Sequence, residues 1–188
     1  MFRLLLIFSL IPLVVALAAR WWFGVRVLAA DGPRACRCNL DGWLPAPGDE
    51  SHVHRSEQSA REFGRQLRLN ALAEWHAQQP KAANAREKSR RFGAAVPPLS
   101  GIVVIFAVLV SKVPVFGAFA ILLCCVALCA VQGLLALPPE LAAITRWVRK
   151  VRDARHFPNR DDEDAIIRCA HAHAWDASLP PVLRWVLP

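Results

Sequence analysis

The chain has 188 residues, 55% of them hydrophobic, with a mean hydropathy of +0.29 and a formal charge of +8. Its apolar residues are gathered into long runs, which excludes an ordinary soluble domain. Three of the six cysteines, Cys124, Cys125 and Cys129, fall inside such a run, which excludes a secreted disulfide framework too.

The first run, Leu4 to Ala19, follows Arg3. Ala16-Leu17-Ala18 is similar to a small-residue cleavage site, so the run can be a signal peptide or a retained span. Trp21-Trp22-Phe23 suits the headgroup region, and Arg20, Arg26, Arg34 and Arg37 follow it, against only Arg3 before. That asymmetry favours an uncleaved helix over residues 1–23 with its N-terminus outside, leading into a cytoplasmic loop and helical region over 24–93.

Asp31 to Ser51 is rich in turn signals, Gly32-Pro33, Asp41-Gly42 and Pro45 to Gly48 among them. Within it Cys36 and Cys38 are two apart, so in an extended segment their thiols face the same way, as half of a metal site or as a pair of reduced thiols. Ser56 to Gln79 reads as a helix, with Ala60, Phe63, Leu67, Ala71 and Trp75 on one face and Glu57 placed to pair with Arg61. Pro80 ends it, and Arg86, Lys88, Arg90 and Arg91 then form a juxtamembrane basic cluster suited to anionic headgroups.

Residues 94–137 carry a single formal charge, Lys112. A bilayer core needs roughly 20 apolar residues of helix, and this stretch supplies two such spans, near 95–111 and 115–137. Lys112 and Pro114 place the turn between them at an interface. Pro97-Pro98 is expected to open the first span and Pro138-Pro139 to close the second. The cytoplasmic tail, 138–188, begins with an amphipathic helix over Glu140–Phe157. Its stripe is Leu141, Ile144, Val148 and Val151, and Arg146, Arg149, Lys150 and Arg152 lie opposite, an arrangement suited to the membrane surface. Asp161 to Asp164 opens a further helix where its dipole favours carboxylates, and Val182 to Leu187 is too short to span.

Several pieces carry a resemblance. Arg91-Phe92-Gly93-Ala94-Ala95-Val96-Pro97 is a basic segment followed by Ala-hydrophobic-Pro; Leu135-Ala136-Leu137-Pro138-Pro139-Glu140-Leu141 holds a Leu-Pro-x-Glu-hydrophobic element; Glu163-Asp164 and Ala170 to Ala174 fit a tail helix. In this order, behind an N-terminal span with aromatic and basic residues, they resemble the membrane-bound neutral zinc metallopeptidase family of bacteria. The resemblance implies zinc and an HExxH helix, which would correspond to Leu72-Ala73-Glu74-Trp75-His76-Ala77-Gln78. The first histidine is missing there. Glu74 and His76 are two apart, about 200° around a helix, so they cannot serve one metal.

Cys169 and His173, four apart on the tail helix, could join Cys36 and Cys38 as a three-cysteine, one-histidine set, or Cys169 could simply pack. The motifs of nucleotide-binding and serine hydrolase folds are absent, and the basic charge is explained by the spans without nucleic acid. The expectation is therefore an all-α integral membrane protein: an N-terminal transmembrane helix, a cytoplasmic helical region, a transmembrane hairpin and amphipathic C-terminal helices. It is placed in a bacterial-type inner (cytoplasmic) membrane as a pseudoenzyme without a cofactor, Glu74 and His76 being remnants. It would work by binding lipid, another membrane protein or a second copy of itself. The alternative is a divergent zinc peptidase.

Overall fold

A computed structural model describes residues 2–39, 43 and 57–184. His52, His54, the Asp41-Gly42 and Pro45–Gly48 turns and residues 185–188 lie outside them. The elements are α1 (Phe2–Arg20), a π-helical turn (Trp21–Val25), α2 (Arg26–Ala30), β1 (Ala35–Arg37), β2 (Glu57–Ser59), α3 (Ala60–Gln78), α4 (Pro80–Leu109), α5 (Val115–Leu135), α6 (Leu137–Asp153), α7 (Arg160–Asp176) and α8 (Pro181–Arg184). The two strands form a short antiparallel ladder with Cys36 opposite Gln58; the rest of the described regular structure is helical. Three helical stretches, Leu6–Ala30, Pro80–Leu109 and Val115–Asp153, are long and apolar enough to cross a membrane.

The spans form a three-helix layer with α5 packed between α1 and α4. Its contacts are made by small side chains: Ala16 of α1 and Ala120, Ala127 and Ala130 of α5 are buried, whereas Phe8, Ile11, Val103, Phe106, Phe119 and Leu128 point outward. Lipid tails give helices no hydrophobic reason to associate, so close approach of backbones over small residues has to supply the packing. Ala16, part of the sequence similar to a cleavage site, is fully buried in this contact.

The turn between the spans needs no glycine. Ser111 takes a left-handed backbone (φ 55°), and the amides of Ser111 and Lys112 return to the carbonyls of Val108 and Ala107, closing the end of α4. At its other end α4 departs from expectation. It begins at Pro80, where a missing N–H costs little, and runs without a break through Pro97 and Pro98 to Leu109. The prolines therefore do not open the span; they remove the amide donors that the carbonyls of Gly93 and Ala94 would otherwise receive.

Helices α3, α6 and α7 make a polar-surfaced head in which each covers the apolar face of the others. Ser59 caps α3 by accepting from the amide of Glu62 at 3.3 Å, and the stripe Ala60, Phe63, Leu67, Ala71 and Trp75 is buried throughout. Glu57 belongs to β2 and pairs with Arg37 at 2.5 Å instead of with Arg61. In α6, Ile144, Val148 and Val151 are buried and Leu141 half-buried against the head. That stripe, expected on a membrane surface, is already used by the protein core. The helix ends at Asp153, before Phe157, because Arg155 turns left-handed (φ 54°) and His156 donates its amide to the Val151 carbonyl.

The N-terminal span is tied to this head. Arg20, 5% exposed, donates to Asp176 at 2.8 Å, and Phe23 stacks on Trp175 with ring centroids 5.0 Å apart. Gly24 sits against the α7 backbone, where a Cβ would lie 3.4 Å from the Ala172 carbonyl oxygen. Trp21 and Trp22 remain exposed, Arg26 lying over the Trp22 ring at 4.5 Å. Four carboxylates begin α7 as expected; Asp162 receives Arg34 at 3.1 Å and Glu163 receives Arg152 at 2.5 Å.

Helices α3 and α7 approach closely at Gly64. A Cβ there would stand 2.6 Å from Cys169 Cβ and 2.8 Å from the amide nitrogen of Ala170. Gly64→Ala should cost about 1–3 kcal/mol of stability through overpacking, despite the better helix propensity of alanine. Thermal unfolding of detergent-solubilised protein measures this, and an unchanged or raised midpoint would contradict the close approach.

Candidate functional site

Glu74 and His76, the residues expected to be remnants of a metal helix, lie on α3. Glu74 accepts from Lys150 of α6 and, at 2.5 Å, from Gln78 of its own helix. It lines a crevice of about 230 Å³ with Trp75, Trp147 and Arg146. His76 is exposed, and its Nε2 lies 3.2 Å from the Asn84 side-chain oxygen on α4. Glutamate and histidine are thus engaged separately. Among the described residues no three His, Cys, Asp or Glu side chains converge as a metal site would require.

The structure does bring together thiols that no sequence argument could join. Cys36 and Cys38, from β1 and its end, share one core cluster with Cys169 of α7, all three being at most 3% exposed and unpaired as disulfides. Burial pushes the Cys169 thiol up to about 11, with Asp31 and Cys36 adding to it, and pushes Cys38 up to about 12, with Cys36 adding to it. Burial first, then Asp162, also raises Cys36. Burial thus favours the neutral form of all three thiols. His173 does not turn toward them: its Nε2 lies 2.9 Å from the Arg61 carbonyl oxygen, and burial lowers it from the usual histidine range.

The basic residues fall into two groups. Lys88, Arg90, Arg91, Arg146, Arg149, Lys150 and Arg152 are exposed. Glu87 receives Arg90 at 3.2 Å and Arg91 at 3.0 Å, whereas Lys88, Arg146 and Arg149 have no ion-pair partner among the described residues. Arg86, expected with the membrane-surface group, is 7% exposed and faces inward. Its Nε donates to Glu140 Oε2 at 2.7 Å, and its Nη1 to the Gly133 carbonyl at 3.4 Å. The other oxygen of Glu140 receives Arg68 at 2.6 Å, and Glu140 itself is 1% exposed.

One carboxylate therefore joins α3, α4 and α6, with Arg86 reaching α5 as well. Glu140, which the sequence marks only as part of the Leu-Pro-x-Glu-hydrophobic element, and Arg68 and Arg184 are not among the site residues expected from the sequence. The available signal was Glu140 standing alone between apolar Leu134–Leu137 and Leu141–Ile144, because a charge buried there requires partners.

Beside this cluster, at the base of α4 and α5, lies a cavity of about 290 Å³. Its wall includes Arg86, Ser89, Arg90, Arg91 and Arg184, with Glu87 as its one carboxylate. Gly133 lets the Ser178 carbonyl close the cavity, since a Cβ there would stand 2.0 Å from that oxygen. Burial pushes the Arg184 guanidinium below the usual arginine range; Asp176 opposes this, and Arg20, Arg68 and Arg90 reinforce it. No family model matches the chain, and no curated protein or solved structure matches it either.

Removing one member of a buried ion cluster strands the others. Glu140→Ala leaves two arginines facing one another in the joint and should destabilise the protein by roughly 3–5 kcal/mol. Arg146→Ala on the exposed face should change stability by less than about 0.5 kcal/mol. Chemical denaturation in detergent measures both, and similar effects from the two would refute the central place of Glu140.

Proposed function

We propose that this chain is a non-catalytic multi-pass protein of a bacterial-type inner membrane that works by binding anionic lipid or a membrane-protein partner at its helical head. The reading keeps the neutral zinc metallopeptidase scaffold as its ancestor and treats Glu74 and His76 as a decayed site. One observation carries it: Glu74 is held by Lys150 and Gln78 while His76 meets Asn84, so neither side chain is turned toward a shared ligand. Lys88, Arg146 and Arg149 supply exposed charge for headgroups, each worth about 1 kcal/mol near an anionic leaflet.

Zinc quantitation on detergent-purified protein tests the absence of catalysis. We expect no stoichiometric zinc, no cleavage of an unfolded protein substrate, and no change in either on His76→Ala. Stoichiometric zinc that disappears with that substitution would make a divergent peptidase the better reading.

The orientation follows from the placement of basic residues, with the head in the cytoplasm and the N-terminus and the 110–114 turn outside. Cys36, Cys38 and Cys169 are buried and would report poorly, so an introduced thiol is the better probe. Lys112→Cys should react with an impermeant maleimide from outside intact cells, and Arg149→Cys should react only after the membrane is opened. The reverse pattern would invert the topology.

A further inference from the structure

We propose that the cavity beneath the membrane spans binds a phosphate group, presented by the headgroup of an anionic phospholipid. The inference deepens the lipid-binding reading above and rests on it, moving recognition from the exposed basic surface to one built pocket.

The argument begins with unmet hydrogen bonds. Arg86 is more than nine-tenths buried and uses Nε and Nη1 on Glu140 and Gly133, but its Nη2 has no partner among the described residues. Ser89 Oγ and Arg184 Nε are likewise buried without partners, and all three residues line the same cavity. Three unmet buried groups in one place, each able to donate, are costly unless an acceptor joins them.

The charge points the same way. Four arginines line the cavity against one glutamate, and Glu87 is already shared by Arg90 and Arg91. Glu140 is saturated by Arg68 and Arg86. A tetrahedral dianion or diester suits this set, because guanidinium groups match phosphate oxygens and a serine hydroxyl adds a neutral donor.

The location favours a lipid over a free anion. Gly93 and Ala94 of α4 and Cys129 of α5 also line the cavity, so it sits where the apolar spans give way to the polar head. Basic pockets at this level between transmembrane helices suit phospholipid headgroups. Gly93 and Ala94, whose carbonyls lose their helical amide donors to Pro97 and Pro98, are both lining residues of this cavity.

The test uses the full chain in detergent, washed free of lipid. Phosphatidylglycerol, phosphatidylcholine and inorganic phosphate are added separately, with native mass spectrometry counting bound lipid and thermal unfolding reporting stabilisation. The probes are Arg184→Gln combined with Ser89→Ala, neither of which removes a hydrogen bond described above. Arg65→Gln combined with Arg160→Gln, both exposed and outside the cavity, serves as the control.

Phosphatidylglycerol should bind at about one per chain and raise the unfolding midpoint, while phosphatidylcholine should do neither. The pocket variant should weaken this binding about tenfold or more, the loss of a charge-assisted hydrogen bond, and the Arg65/Arg160 control should not. Without lipid, the pocket variant should unfold no earlier than the parent, since Arg184 makes no ion pair among the described residues and its Nε and Ser89 Oγ have no hydrogen-bond partner there. Stabilisation by inorganic phosphate that the pocket variant abolishes would support the phosphate chemistry and, if phosphatidylglycerol fails, reassign its source to a soluble compound. Equal retention of the two lipids, an undiminished affinity in the pocket variant, or an equal loss in the Arg65/Arg160 control would overturn the proposal. None of these results bears on zinc content or peptide cleavage, so the pocket can fail while the non-catalytic reading stands.

Discussion

The structure depends on one carboxylate. Glu140 stands at the first turn of α6, immediately after the last membrane span, and is almost wholly removed from water. Desolvating a charge is expensive, and the cost is offset only when good geometry supplies opposite charge and hydrogen bonds. Here Arg68 and Arg86 occupy one oxygen each, so a span, its connecting helix and the first head helix meet at a fixed angle. Hydrophobic packing alone would hold α3 against α6 but would tolerate sliding. A shared carboxylate does not, because moving either helix breaks a short directional bond in a place where water cannot replace it.

The two halves of the molecule are built by opposite rules, and the joint lies where they change over. In the spans, alanines dominate the buried positions and most large apolar side chains face outward, as expected when lipid is the solvent. In the head, Phe63, Leu67, Ile144 and Ile166 are inside and most charges are outside, Glu140, Arg86 and Glu163 being buried exceptions. Helix α4 crosses the boundary without interruption, with Arg86 on its head side and Val104 in the span layer. A continuous helix transmits rotation and tilt over its full length. The arginine-lined cavity beside its boundary segment is therefore placed where occupancy could be felt on both sides.

The sequence was most legible where one physical signal dominates. Hydropathy marks all three spans, because nothing else in a chain this small needs so many consecutive apolar residues. The stripe of α3 is read from its period, and Phe63, Leu67 and Trp75 are buried as that period requires. It was least legible where the answer depended on a partner distant in the chain. The stripe of α6 has the same appearance whether it faces lipid or protein, and only the presence of α3 and α7 decides between them. Arg86 stands in a run of basic residues and looks like its neighbours, yet it points at a glutamate 54 positions away. Pro97-Pro98 signals a helix start by local rules, but α4 already has a start at Pro80 and enough turns on both sides to carry the interruption. The tiny ladder of β1 and β2 has no pattern of its own; it forms where Cys36 enters the core beside Cys169.

The pairing of Arg20 with Asp176 joins the two ends of the chain across 156 positions, and this orders events during synthesis. Chains grow at about 5–20 residues per second, so the first helix waits many seconds in or near the membrane before Asp176 is made. During that interval it can settle against α5 through its alanines, but its ionic lock to the head does not yet exist. That lock therefore closes only once the final turn of α7 has been made. A chain cut short before that turn would have its three spans complete and lack the tie between the first span and the head.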